Sequence, residues 1–361
     1  MRVKSLNINN LRNIESTQIS LSPCLNCFIG DNGAGKTSVL EAIAVLSKGR
    51  SFRSGQISSL IGPAGKSFQV VASTESQSGE SDQMGMERGS DHWSARHNGQ
   101  DVTQLSELTQ LLPHVLLEPS SHTLVSGPPD GRRKYLDWGV FHVEHSFLTL
   151  WRRYNRVLKQ RNAALRQTNV MVVESLDPQF AALGEQLHQA REQHAILLHN
   201  ILQQKLSLFN ETLEGIALSY RKGWSGESLD EAVQNSRPRD IERGATGPGP
   251  HKADLYLTLD GVSAKERLSR GEQKALTAAM MMAQAELICL SGEKPILLLD
   301  DLSSELDEAH MKNVLAAGLS LGVQIWITGT AMTPALTACE AEYKVFHVEH
   351  GCVSEYGASA A

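Results

Sequence analysis

Residues 30–38 read GDNGAGKTS, the spacing G-x-x-x-x-G-K-[ST], between an apolar run, LNCFIG, and a run with helical character, KTSVLEAIAVLSKG. Gly30, Gly33 and Gly35 let a backbone curl so that its N–H groups face phosphate oxygens. That cradle takes in Gly30, Asp31, Asn32, Gly33, Ala34, Gly35, Lys36, Thr37 and Ser38. The Lys36 ammonium is placed to reach the β/γ-phosphates, and the Thr37 hydroxyl to ligate Mg2+. A second segment, ILLLDD at 296–301, has four apolar residues fit for a buried strand and two acids at its carboxyl end, where α/β sheets place ligands. There Asp300 is expected to hold Mg2+, directly or through water, and Asp301 to polarise an attacking water. A third, LSRGEQKALTAAMMMAQAELI at 268–288, puts Ser269 and Gly271 at a helix start. Backbone N–H groups and the positive end of the helix dipole then point outward, which makes an anion site far along the chain from Lys36.

Other chemistry-bearing groups carry less. Cys24 and Cys27 form a lone C-x-x-C among five cysteines. Zinc needs four ligands and a redox pair opens a helix, so buried thiols are the expectation. The pentapeptide FHVEH occurs twice, at 141–145 and 346–350, and is read as chance or surface chemistry rather than a metal site. The 361 residues are 41% hydrophobic and 20% charged, a globular profile, with a net charge of −6 that still allows local basic patches. No stretch of 18 apolar residues and no signal-type start is present, so a cytoplasmic protein without membrane contact is expected.

The elements that must hold these groups follow from pattern. Residues 2–9 and 17–22 read as strands of a hairpin joined by NNLRN, and LNCFIG as a buried strand. Residues 68–104 alternate in short runs with a turn at Asn98-Gly99, and STESQSGESDQMGMERGSD reads as a loop between strands. WRRYNRVLKQRNAALRQ is helical, and a second helix is predicted from Pro178 to about Glu214, with Asp177 as N-cap and Gly215 at its end. Together they make an antiparallel helical arm, the alternative being an ordinary core bundle. Residues 221–250 are polar and GATGPGP breaks regular structure; ADLYLTLDG is a strand. After the helix at 268 come the strand at 296, a helix over 308–320, the strand VQIWITGT and one last strand near EYKVFHVEHGCV. The fold class is α/β, with boundaries at 1–120 for an N-terminal lobe, 121–245 for the helical insertion and 246–361 for the C-terminal part.

A phosphate loop, an acidic strand end and a Ser-Gly helix start resemble the three parts of an ABC-type P-loop ATPase head. In such heads the Ser-Gly segment caps the γ-phosphate held by a second subunit. The whole chain, more narrowly, resembles the RecF family: LNINNLRNI, GRSFRS at 49–54, LVSGPPDGRRKYLD at 124–137, GPHKADL and LLLDDLSSELD carry the likeness. The resemblance implies ATP and Mg2+ as cofactors and an ATP-driven homodimer. It implies slow, DNA-stimulated hydrolysis, binding to single- and double-stranded DNA and junctions, and RecR- and RecO-type partners that help load RecA at gapped DNA on the nucleoid. Three positions depart from the wider ABC pattern: Asp301 stands where a Glu is usual, the switch His is replaced within Thr328-Gly329-Thr330, and Glu118 lies where a Gln is expected. Between 146 and 173 there is no acid but six bases, Arg152, Arg153, Arg156, Lys159, Arg161 and Arg166. Arg152, Arg156 and Lys159 share a helix face and are the expected DNA contacts, the alternative being a solvated face; Arg132, Arg133 and Lys134 form a second basic cluster, the alternative being a role in the nucleotide interface. Rival readings are a transporter-type ATPase subunit and a non-hydrolysing, ATP-gated assembly module.

Overall fold

In the computed structural model, which describes residues 1–53, 55–76, 79–302 and 306–356, LNCFI forms β3 (Leu25–Ile29) with Leu25, Cys27 and Phe28 wholly buried. The chain divides into two compact units, Met1–Ser121 with Met280–Ala361, and His122–Ala279. Residues 246–279 thus group with the helical insertion.

Two six-stranded sheets build the first unit. One runs in the order β2 (Ile14–Ser20), β1 (Arg2–Leu11), β4 (Ser67–Glu75), β5 (Ser81–Gly89), β6 (Trp93–His97) and β7 (Gln100–Asp101). It is antiparallel throughout. The hairpin at Asn98-Gly99 forms as expected, with both residues at positive φ. The segment SDQMGMERG is a full strand rather than a loop: Met84 and Met86 alternate into the core while polar neighbours face outward, a period-two pattern that its polar composition masks. Gln77 and Ser78 lie outside the described residues.

The second sheet has the order β15 (Cys352–Tyr356), β14 (Tyr343–Glu349), β3, β13 (Ile325–Gly329), β12 (Ile296–Leu299) and β8 (His114–Leu117). Strands β14, β3, β13, β12 and β8 are parallel, and β15 is an antiparallel edge. The chain's last segment is therefore two strands, not one, turning at His350-Gly351 with both residues at positive φ. The helix Lys36–Lys48 lies between the two sheets and is buried almost all round. Buried Gln324 joins the sheets: its amide donates to the carbonyls of Val3 and Ser22 and accepts from Val3 N–H.

In the second unit, helices Pro129–Val143, Phe147–Arg166, Val170–Gln203 and Leu229–Arg243 pack with a three-stranded sheet, β11 (Val262–Ser263), β10 (Asp254–Leu259) and β9 (Ile216–Arg221). The predicted second arm helix is corrected at both ends. It starts at Val170, capped by Asn169, runs through Pro178, and stops at Gln203. Its 34 residues span about 51 Å. Asp177 is no cap: it is buried inside the helix against Arg161 and Arg237. Helix Leu229–Arg243 occupies a stretch that reads as polar, and strand β9 one that carried no expectation. The first FHVEH ends a helix while the second lies in β14, so packing decides the conformation of that pentapeptide.

Candidate nucleotide site

Parallel register explains why distant residues meet. Leu299 pairs with Leu117 and with Ile327, and Thr328 pairs with Phe28. The residues just past these strands, Glu118, Asp300, the Thr328–Gly329 end and Gly30, share one carboxyl edge across four neighbouring strands. Of these, Glu118, Asp300 and Thr328 line a cavity of about 1140 Å³ that also includes Gly33, Gly35, Lys36, Thr37, Ser38 and Asp301.

The loop has the shape its sequence predicts. Gly33 and Gly35 sit at φ 83° and 116°, and a Cβ on Gly30 would lie 2.0 Å from the Val348 carbonyl oxygen. Lys36 is buried, its Nζ donating to the carbonyls of Gly30 at 2.7 Å and Asp31 at 2.9 Å. Thr37 Oγ1 donates to Asp300 Oδ1 at 2.9 Å, and Thr328 Oγ1 donates to the same oxygen at 2.8 Å. Thr328 also accepts the Asp301 N–H at 2.8 Å, so of the three residues standing in for the switch His it is Thr328 that joins the two acids. Asp301 sits at φ 49°. Asp tolerates that left-handed backbone better than a longer acid, a local reason for Asp in place of the usual Glu.

Burial raises the Asp300 carboxyl above its ordinary value, partly opposed by the Thr328 and Thr37 hydroxyls and by Arg53. Burial likewise raises Glu118, against its bond from Ser120. A desolvated carboxylate beside a Thr hydroxyl, in reach of a phosphate cradle, fits a hard divalent cation. Because its folded pKa lies above the unfolded one, Asp300 costs stability once the pH passes the ordinary carboxylate range near about 4. Asp300→Asn is therefore expected to stabilise the nucleotide-free protein at pH 7, on the order of 1 kcal/mol, with no gain below about pH 4. The same change is expected to remove the Mg2+ dependence of nucleotide binding. Thermal melts with and without Mg2+ and nucleotide check both.

The NNLRN turn between β1 and β2 forms as expected, but sequence reading missed what Arg12 and Asn13 do there. Arg12 donates from Nε and Nη2 to both oxygens of wholly buried Glu41 at 2.9 and 2.8 Å, and Ser51 also bonds Glu41. Asn13 Nδ2 donates to the Ala34 carbonyl at 3.0 Å, which fastens the phosphate loop from outside. Both residues line the cavity, as does Arg53 of GRSFRS. The sequence signals the turn through NNLRN, and in the structure Arg12 takes φ 58° there.

Ser269 and Gly271 are exposed in the other unit, and an added Cβ at Gly271 would meet nothing within 4 Å. Ser269 N–H donates to Glu272 Oε2 at 2.8 Å while Glu272 N–H reaches Ser269 Oγ at 3.4 Å, a reciprocal cap. Bonds from Ser269 and Thr212 hold the Glu272 carboxyl below its ordinary value. The outward donors expected at this helix start are thus partly engaged. Glu305, the alternative base in LLLDDLSSELD should Asp301 not serve, lies outside the described residues.

Arg152, Arg156 and Lys159 are exposed, with Arg153 and Arg166. Arg161 is not part of that surface: it is fully buried, donating to Asp177 at 2.8 Å, Asp240 at 2.9 Å and Thr246 at 2.8 Å. In the second basic cluster the two arginines are engaged and only Lys134 is exposed. Arg132 clamps Asp254 in bidentate fashion, Arg133 donates to the Ala253 carbonyl, and Lys134 pairs with Asp130. The five cysteines are free thiols, and burial pushes Cys27 up to about 12. Among the described residues no helix is long and apolar enough to cross a membrane, and no cluster of His, Cys, Asp and Glu is set to hold a metal.

A phosphate loop after β3 and an acidic end on β12, with β13 between them, define the α/β head of an ABC-type P-loop ATPase. The family model described as RecF/RecN/SMC N terminal domain matches residues 2–354. "DNA replication and repair protein RecF" of Xanthomonas axonopodis pv. citri (strain 306) is 39% identical over 362 residues, covering 98% of each chain. The protein of the same name from Thioalkalivibrio sulfidiphilus is 39% identical, covering 97% of this chain and 98% of the other. The chain belongs to the RecF family of DNA replication and repair proteins, ABC-type ATPases within the RecF/RecN/SMC group. Its fold matches a solved "recombination mediator protein RecF-ATPrS in RecFOR pathway" with TM-score 0.87 at 24% identity, over 98% of both chains. An Smc head bound to the C-winged helix domain of ScpA matches with TM-score 0.61 at 13% identity, over 99% of this chain and 97% of the other. That membership removes the transporter reading.

Proposed function

We infer that the chain is an ATP-gated DNA clamp. ATP binds at Lys36, Thr37 and the surrounding loop, two chains close head to tail over it, and slow hydrolysis releases DNA. One observation carries the reading: Lys36, Thr37, Asp300, Asp301, Thr328 and Glu118 converge at the carboxyl edge of four parallel strands. A bound Mg2+ would neutralise phosphate charge there, held by Thr37 and Asp300. The chain's own groups do the rest. Lys36 draws the phosphates against the loop, Thr328 keeps Asp300 and Asp301 in register, and Asp301 takes the proton of the attacking water. Ser269 and Gly271 meet the γ-phosphate of the opposite chain. Solved relatives described with ATP and ATPrS support the choice of nucleotide.

The family supports action at gapped DNA on the nucleoid, with RecR- and RecO-type partners and RecA loading as the outcome. In this reading the chain has a lobe over 1–120, a helical arm over 121–245 and a signature-bearing part over 246–361, of which residues 246–279 pack with the arm.

Single-turnover hydrolysis with and without duplex DNA tests the reading; no turnover in either would leave the non-hydrolysing module. Asp301→Asn is expected to keep ATP affinity and slow the chemical step about 100-fold or more, since an amide accepts no proton. Unchanged hydrolysis would remove Asp301 from this role. Neutralising Arg152, Arg156 and Lys159 together is expected to leave ATP-driven dimerisation intact. The slope of log affinity against log salt on duplex DNA should fall by about 2–3 units. An unchanged slope puts the DNA surface elsewhere.

A further inference from the structure

The end of the helical arm shows apolar side chains where solvent would be expected to select polar ones. From Arg166 through Val172 every residue is exposed, and Val170, Met171 and Val172 are 40%, 80% and 41% exposed. The tip is nonetheless well built. Asn169 Oδ1 accepts the Val172 N–H, Asn169 N–H donates to the Ala164 carbonyl, and Val173, Ala164 and Leu165 pack in a small core with Ile241. Three neighbouring apolar side chains are thus held outward on a rigid hairpin.

Cations lead to this tip. Arg152, Arg156, Lys159 and Arg166 fall at i, i+4, i+7 and i+14, one stripe about 21 Å long, all exposed. Gly244 packs against Arg166, an added Cβ lying 3.3 Å from its side chain, and this brings exposed Arg243 to the same end. No acid occurs between 146 and 173, and the first beyond, Glu174, is engaged by Arg237 at 2.8 Å. A planar lipid surface would meet only the tip and leave Arg152 well beyond a Debye length of about 8 Å. A duplex lying along the stripe meets every cation with phosphate and brings its base stack to the tip.

We propose that Val170, Met171 and Val172 form a wedge that enters a base step of duplex DNA and partly unstacks it, while the stripe holds the flanking phosphates. Apolar wedges of this kind offset unstacking by the contact the bent duplex then makes. The proposal rests on the DNA-binding reading above. A step already weakened by a mismatch needs less unstacking, so it is the preferred target.

The test measures binding of the full chain, with ATP and Mg2+, to a matched duplex and to the same duplex with one central mismatch flanked by 2-aminopurine. The wild type is expected to prefer the mismatch about tenfold and to brighten the probe. V170S/M171S/V172S is expected to lose the preference and the brightening while keeping matched-duplex affinity and its salt slope, and M171L to keep all of them. A triple variant that retains the preference, or weakens both duplexes equally, overturns the wedge. So does wild-type binding with no preference, or tip-dependent binding to phosphatidylglycerol vesicles without any effect on DNA. A wild type that binds neither duplex overturns the DNA-binding reading itself, which separates the two failures.

Discussion

Ser269→Arg is expected to bind ATP as a monomer yet fail to dimerise or hydrolyse it. The residue is exposed at the start of helix Arg270–Leu290, with open space over the adjoining Gly271, so the longer cation is accommodated in the free chain. In the proposed closed dimer that space would belong to the γ-phosphate of the opposite chain. Turnover should fall about 100-fold or more, the scale lost when a transition-state donor is removed. Mixing decides the geometry. A dimer of one Ser269→Arg chain and one Lys36→Met chain has one site with both halves intact and one with both damaged. Random association should therefore restore up to roughly one quarter of wild-type activity. If mixing restores nothing and Ser269→Arg alone loses ATP binding, the signature works within its own chain.

Arg161→Leu is expected to destabilise the helical unit by about 3–5 kcal/mol, because Asp177 and Asp240 stay buried without their shared counter-charge. The Arg161 fork also bonds Thr246, whose N–H is fixed by Asn162, so the GATGPGP loop should loosen with it. Arg161→Lys keeps the charge but cannot reach all three partners, and a smaller loss is expected. Denaturant titration checks the ranking, and equal stability of Arg161→Leu and the wild type would show that the network contributes nothing.

The same arginine shows why some of the molecule was legible in sequence and some was not. Arg161 reads as one of six surface bases because no local signal separates it from Lys159 two residues earlier. Its partners lie 16 and 79 residues away and appear only when the helices pack. Asp177-Pro178 carries every local mark of a helix start, yet burial of Asp177 against Arg161 and Arg237 lets the helix run through. The phosphate loop and the ILLLDD strand were readable because their chemistry is written in consecutive residues. Thr328 was readable only as one of three, since its role depends on β13 lying between β3 and β12. Arg12 and Asn13 act across the fold on Glu41 and Ala34, and nothing in LRN announces that.

The central claim is that ATP closes two chains on one another. Particle mass in solution, with ATP and Mg2+, with ADP and Mg2+, and without nucleotide, each with and without duplex DNA, tests it most directly. The expected result is a dimer with ATP, strengthened by DNA, and a monomer with ADP or without nucleotide. A mass that is the same in all six conditions would contradict the account.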